Sequence, residues 1–163
     1  MGDEAFDACV ETVRLVIDRV KPRRARLALE MMQYALPDSV DCYARLIAAV
    51  DRPAFAAHLD PVNLIMTPRV YFANGALIRE CFEKLGPHIV SCHAKDILLH
   101  HQAALHLDEV MIGDGVLDYP TYLRALARLP GVPLMLEHLE GGEYAVARDR
   151  LLAIGREAGV AFA

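Results

Sequence analysis

The sequence predicts an α/β fold, a parallel sheet covered by helices. Three observations carry this. Short apolar runs alternate strictly with helical patterns, in the order helix, then strand–helix four times, which implies parallel strands joined by right-handed crossovers. The runs are continuously apolar rather than alternating, as strands buried on both faces are. Each run also ends in an acid or an imidazole. Ala25-Arg26-Leu27-Ala28-Leu29-Glu30, Phe55-Ala56-Ala57-His58-Leu59-Asp60, His88-Ile89-Val90-Ser91-Cys92-His93 and Pro133-Leu134-Met135-Leu136-Glu137 are four versions of one sentence.

The elements follow in order. A first helix is expected over 4–20, because Phe6, Cys9, Val10, Val13, Val16, Ile17 and Val20 recur at three- and four-residue steps. Asp3 is placed to cap it, and Lys21-Pro22 ends it. A strand over 25–30 follows. Pro37-Asp38-Ser39 opens a second helix with Val40, Tyr43, Ala44, Ile47 and Val50 on one stripe. Asp51-Arg52-Pro53 closes it before the strand over 55–59. After a loop containing Pro61, Asn63 and Pro68, a helix is expected over 74–85, stopped by Gly86-Pro87. The strand over 89–93 leads into the longest loop, 94–115, which holds Lys95, Asp96, His100, His101 and His106 and closes with Gly113-Asp114-Gly115. Long loops inside compact domains usually carry function or move. A helix over 119–129, the strand over 133–137 and a last helix over 143–157 complete the chain.

The 163 residues suffice for one domain with a real core, and a single domain over 1–163 is expected. Hydrophobic residues make up 55% and charged residues 24%, a globular composition. A net charge of -5 and a pI near 5.8 argue against nucleic acid as a partner. No apolar run approaches the roughly 20 residues of a membrane span. The acidic start Met1-Gly2-Asp3-Glu4 has no signal-peptide pattern. Cys9, Cys42, Cys81 and Cys92 are widely spaced with no C-x-x-C pair, which reads as reduced, buried thiols. A cytoplasmic location is expected from these features together.

The element count points further. A (β/α)8 barrel takes about 250 residues and eight strands. Four βα units preceded by one helix look like its C-terminal half, a partial (β/α)8 TIM barrel. If the strands are parallel, Glu30, Asp60, His93 and Glu137 emerge at one end of one sheet. Three carboxylates and an imidazole converging there would repel one another unless a cation sat between them. The set is hard, three carboxylate oxygens and one nitrogen, and suits Mn2+ or Mg2+ better than a structural zinc.

Leu27-Ala28-Leu29-Glu30, His58-Leu59-Asp60-Pro61-Val62-Asn63, His93-Ala94-Lys95-Asp96, Gly113-Asp114-Gly115-Val116-Leu117-Asp118-Tyr119 and Leu134-Met135-Leu136-Glu137-His138 together resemble the sugar phosphate isomerase/epimerase family. This is the xylose isomerase-like group of TIM barrels (AP endonuclease family 2), which includes endonuclease IV, inosose dehydratase and ketose 3-epimerases. The resemblance covers nearly the whole chain, but only the C-terminal half of the family's barrel. It implies that Glu30, Asp60, His93 and Glu137 bind one divalent metal, Mn2+ foremost, with Mg2+ or Co2+ as alternatives. It also implies that Glu30 and Glu137 are the acid/base pair. The reaction implied is proton abstraction next to a carbonyl of a small polyhydroxy compound, which isomerises or epimerises it.

Other residues join as substrate-binding candidates. His58 lies two residues before Asp60 and so on the same side of the strand; it lines the pocket, supports a ligand or sits satisfied in the core. Asn63 is a substrate contact by the resemblance and a turn residue otherwise. Lys95 and Asp96 follow His93; Lys95 fits a substrate hydroxyl or phosphate, or is a solvated loop charge. His138 points away from the side of Glu137 and reads as structural. His100, His101 and His106 read as solvated, and Gly113-Asp114-Gly115 is either a phosphate cradle or a turn. Competing functions are an inosose-type dehydratase on the same site, an endonuclease IV-like metal nuclease, and an inactive truncated half-barrel. Pairing with another copy, or with a missing N-terminal half, is expected of so open a sheet.

Overall fold

A computed structural model describes residues 2–162. The elements are α1 (Asp3–Val20), β1 (Leu27–Glu30), α2 (Val40–Val50), β2 (Phe55–Leu59), α3 (Pro68–Tyr71), α4 (Asn74–Leu85), β3 (Ile89–Ala94), β4 (Asp96–His100), β5 (His106–Val110), α5 (Tyr119–Leu126), β6 (Leu134–Leu136) and α6 (Glu143–Glu157). Two 3-10 turns, Val62–Leu64 and Gly86–His88, complete the set. Strands β1, β2, β3 and β6 form one parallel sheet in that order, and β4 pairs with β5 in a separate antiparallel hairpin. The fold is therefore α/β with a parallel sheet, as the alternation predicts.

The five long helices form one layer, with α1 on α2, α2 on α4, α4 on α5 and α5 on α6. The core lies between this layer and the sheet. Tyr43, Leu46, Leu59, Ile78, Leu85 and Leu123 are almost fully buried there. Ser39 starts α2 by accepting a hydrogen bond from the Cys42 N–H at 3.2 Å, as an N-cap serine does. The four cysteines are free. Burial pushes the Cys81 and Cys92 thiols up to about 12, so both stay protonated. No helix among the described residues is long and apolar enough to cross a membrane.

Three expectations are corrected. Asp3 is the first residue of α1 rather than its cap; Gly2 holds the cap position and contributes no side-chain bond. Val16 and Val20, read as part of the inward stripe, are 40% and 68% exposed, because α1 sits at the end of the layer with a neighbour on one side only. The segment 94–115 is no simple loop. Ten of its residues form β4 and β5, joined by the five-residue link 101–105. Ile97 faces Glu109 and Leu99 faces Leu107 across the hairpin.

Candidate metal centre

The sheet delivers its end residues to one place by register. Glu30 stands beside His58, His58 beside Ser91, and His93 beside Met135. Side chains two apart share a face, so Asp60 joins His58, and Glu137 joins Met135. One irregularity makes this work. Between β2 and β3 the pairing shifts, from Ala57 with Ile89 to His58 with Ser91, skipping Val90. A one-residue slip exchanges the two faces of a strand. Without this bulge Cys92 would point at the cluster and His93 into the helices.

Glu30, Asp60, His93 and Glu137 each offer a ligand atom, and the four atoms lie within 4.8 Å of one another. His93 Nδ1 is 3.0 Å from Glu137 Oε2, 3.2 Å from Glu30 Oε1 and 3.4 Å from Asp60 Oδ2. One ring nitrogen cannot satisfy three carboxylates. Lys95, whose side chain is 3% exposed, brings its ammonium to 2.5 Å from Glu137 Oε1, 3.1 Å from Asp60 Oδ2 and 3.4 Å from Glu109 Oε2. Even so, Asp60 Oδ2 and Glu137 Oε1 are buried without a well-directed hydrogen bond from any described residue. Buried oxygens left in this state, in a hard donor set of carboxylates and one imidazole, fit a hard cation.

The surrounding side chains hold these positions. Tyr43 stitches β1 to β2: its hydroxyl accepts from the Leu29 N–H (3.1 Å) and the His58 N–H (3.1 Å), and reaches the carbonyls of Ala56 (3.0 Å) and Leu29. From α5, Tyr122 donates to the His93 carbonyl and Tyr119 to the Lys95 carbonyl, each at 2.9 Å. Asn63, on the 3-10 turn, donates to Glu30 Oε1 at 3.1 Å and to the Met31 carbonyl at 3.2 Å. Asp60 Oδ1 accepts from the Val62 N–H at 3.1 Å, tying that turn to the end of β2. His58 Nδ1 meets Ser91 Oγ at 2.6 Å, and its ring stands edge-on to that of His93 at 4.1 Å.

The electrostatics follow from this crowding. Burial works against the Asp60 carboxylate, but the close His93 ring nitrogen and the Lys95 charge outweigh it and hold its pKa down. Burial pushes Glu137 up, more than the adjacent Lys95 ammonium pulls it down. The hydrogen bond to Asp60 raises His93 against burial, with Glu137 adding to the rise. Burial lowers His58, and the nearby His93 adds to that. Lys95 is desolvated, yet Asp60 and Glu137 keep it charged.

Glu30, Asp60, His93, Glu137, His58, Asn63 and Lys95 thus come together. Asp96 does not. Its Oδ1 accepts from the N–H groups of Ile97 and Leu117, each at 2.9 Å, and its Oδ2 from that of Gly113 at 3.0 Å. This corrects its reading as a substrate contact: the carboxylate is spent closing 113–117 onto the hairpin. Gly115 is required there, since a Cβ would lie 2.3 Å from Asp96 Oδ1 and 2.5 Å from the Ile97 carbonyl. Gly113-Asp114-Gly115 is a turn, anchored by Arg150 on Asp114 at 2.8 Å.

Sequence reasoning missed Glu109, and it misread His138. His138 adopts a positive φ of 54° and is exposed. Its Nδ1 lies 2.9 Å from both Glu109 oxygens, and its Nε2 3.6 Å from Glu137 Oε2. Glu109 bridges His138 and Lys95 at the rim. The run His106-Leu107-Asp108-Glu109-Val110 has no strict alternation, so no local pattern marked it. His100 and His106 instead meet Asp108 at 3.0 and 3.2 Å on the opposite face of the hairpin.

Known proteins share the fold. A family described as xylose isomerase-like TIM barrel matches residues 2–156. A xylose isomerase-like TIM barrel protein from Mycobacterium smegmatis, solved in complex with magnesium, is 21% identical, with a TM-score of 0.72 over 97% of this chain and 53% of its own. A probable 3-DHS dehydratase from Bacillus anthracis is 15% identical, with a TM-score of 0.68 over 90% of this chain and 56% of its own. D-Psicose 3-epimerase from Clostridium cellulolyticum H10, solved with D-tagatose, is 15% identical, with a TM-score of 0.56 over 94% and 53%. The chain therefore spans about half the length of these structures. No curated protein matches it. On the family match over 2–156, the chain belongs to the xylose isomerase-like TIM barrel family.

Proposed function

We propose that this chain carries the metal-binding half of a divalent-metal-dependent isomerase or epimerase of a small hydroxy-carbonyl compound. One observation carries the reading: four ligand atoms within 4.8 Å at the same end of four consecutive parallel strands. Glu30, Asp60, His93 and Glu137 would hold the ion. The donor set suits Mn2+ and Mg2+, and the magnesium complex of a neighbour of the same fold supports a divalent ion.

A divalent ion held there supplies Lewis acidity, drawing charge from a carbonyl oxygen so that the adjacent C–H becomes acidic. The protein supplies the rest. Glu30 and Glu137 approach from strands at opposite edges of the sheet, so one carboxylate removes the proton and the other returns one. Asn63 fixes the orientation of Glu30 through its amide. Lys95 offsets part of the carboxylate charge. Isomerisation and dehydration of such a compound both begin with removal of that proton, so they share the site and their products separate them.

Calorimetric titration with Mn2+ and Mg2+ tests the reading. One ion per chain is expected. Glu137→Gln should weaken binding by at least the roughly tenfold that even loss of an outer partner costs a metal site. Absence of binding, or equal binding by the variant, would sink the assignment.

A further inference from the structure

The hairpin carries a second cluster, on the face opposite Glu109. His100 and His106 stand directly across from one another on β4 and β5, and Asp108 follows His106 by two residues. Directly opposed residues of an antiparallel pair project to one side with Cβ atoms about 5 Å apart, and a residue two further along shares that side. The two rings lie 5.6 Å apart, edge to face. His100 Nε2 is 3.0 Å from Asp108 Oδ2, and His106 Nε2 is 3.2 Å from Asp108 Oδ1.

The first of these contacts is close without being a directed hydrogen bond. His100 Nε2 is shielded from water and has no hydrogen-bond partner among the described residues. A buried polar atom left in this state calls for an occupant. The spacing says what kind. Two donors bound to one ion at about 2.0 Å in a tetrahedral array lie about 3.3 Å apart, close to both nitrogen–oxygen separations here. Each nitrogen sits by its own oxygen of Asp108, so an ion held by all three residues draws the rings together by rotation about their side-chain bonds. The His100 side chain is 37% exposed and that of His106 54%, which leaves them room to turn.

The donor set differs from that at the strand ends. Two imidazoles and one carboxylate suit Zn2+, Ni2+ or Cu2+, whereas Mg2+ and Mn2+ prefer oxygen. Three protein ligands leave a fourth position for water. All three ligands come from one hairpin, so nothing outside this chain is needed to assemble them. His100 and His106 are also the last ladder pair before the link 101–105. An ion across them therefore ties β4 to β5 at the tip.

We infer that His100, His106 and Asp108 form a second, nitrogen-rich metal site for a Zn2+-class ion, which clamps the hairpin at its tip. This site shares no ligand with the four strand ends and stands or falls separately from them.

Calorimetric titration of the full chain with Zn2+ tests the site, alongside His106→Ala, Asp108→Asn and Glu137→Gln, each checked for folding by circular dichroism. The parent should bind two ions, and Glu137→Gln should keep the one on the hairpin. His106→Ala and Asp108→Asn should each lose that ion or bind it at least roughly tenfold more weakly. Zn2+ should also slow amide hydrogen exchange over 96–110 in the parent and not in His106→Ala. Loss of one ion through both hairpin variants supports the site even if the strand ends bind none. Equal Zn2+ binding by the parent and both hairpin variants would overturn it. So would a loss in His106→Ala with Asp108→Asn unchanged, since that shows only the weak affinity of surface histidines. Zn2+ binding that leaves exchange over 96–110 unaltered would overturn the clamp.

Discussion

Lys95 is the residue on which the cluster balances. Its ammonium is desolvated among Asp60, Glu137 and Glu109, and Asp60 is fully buried. Removing one partner from a buried ion network leaves charge uncompensated and typically costs about 3–5 kcal/mol. Lys95→Met should therefore lower the melting temperature of the metal-free protein clearly. Mg2+ should restore part of the loss, because a cation replaces the missing charge in contact with Asp60 and Glu137. Thermal denaturation with and without Mg2+ measures both effects. A variant as stable as the parent without metal would show that Lys95 does not balance these carboxylates.

Among the elements, the α1–α2 pair shows how one helix is clasped to the next. Arg14 on α1 donates to the carbonyls of Val50 (3.1 Å) and Ala49 (2.6 Å) at the end of α2. Arg52, just beyond α2, donates to both oxygens of Asp18 at 2.8 and 2.9 Å. The Arg52 hydrogen bond holds the Asp18 carboxyl below its ordinary range. A carboxylate whose pKa is depressed on folding adds stability above its unfolded pKa, and loses it as pH falls through the folded value. Arg52→Ala should leave the protein slightly less stable at neutral pH and closer to the parent in strong acid, where only the Arg52 bonds to the Val50 and Asp51 carbonyls still separate them. The effect is small, since both side chains are partly exposed. Urea denaturation midpoints across the acid range check it; a difference that grows toward low pH would contradict the assignment.

For the whole molecule, the arrangement of elements limits how the sheet can be closed. The sheet ends at β1 and β6, and the helix layer ends at α1 and α6. In an eight-stranded barrel each strand is followed by one helix. Two copies would bring twice four strands but twice five helices. The α6 of one copy and the α1 of the other would then claim the same place, outside β6 and the neighbouring β1. What fits instead is a segment of four strands and three helices. We therefore expect the edge amides of β1 and β6 to exchange hydrogen rapidly in this chain by itself, whatever mass light scattering gives. Slow exchange at both edges would reveal a closed pair of copies.

The sequence by itself determined the alternation of strands and helices, the parallel sheet, and the four residues that end its strands. These are local facts: apolar runs of strand length, helix periodicity, and one polar residue where a strand runs out. Asp60, His93, Glu30 and Glu137 were legible because burial is hostile to such groups unless something needs them there. The tertiary structure decided the rest. The bulge at Val90 chose His93 over Cys92 for the cluster, and no local pattern encodes a register between strands. Asp96 turned inward to hold three backbone N–H groups because the chain returns to it at Gly113 and Leu117, contacts distant in sequence. Glu109 reached Lys95 only because 94–115 folds back as a hairpin. Strand ends are written residue by residue, but which side chains meet across a gap depends on how separate segments come together in space.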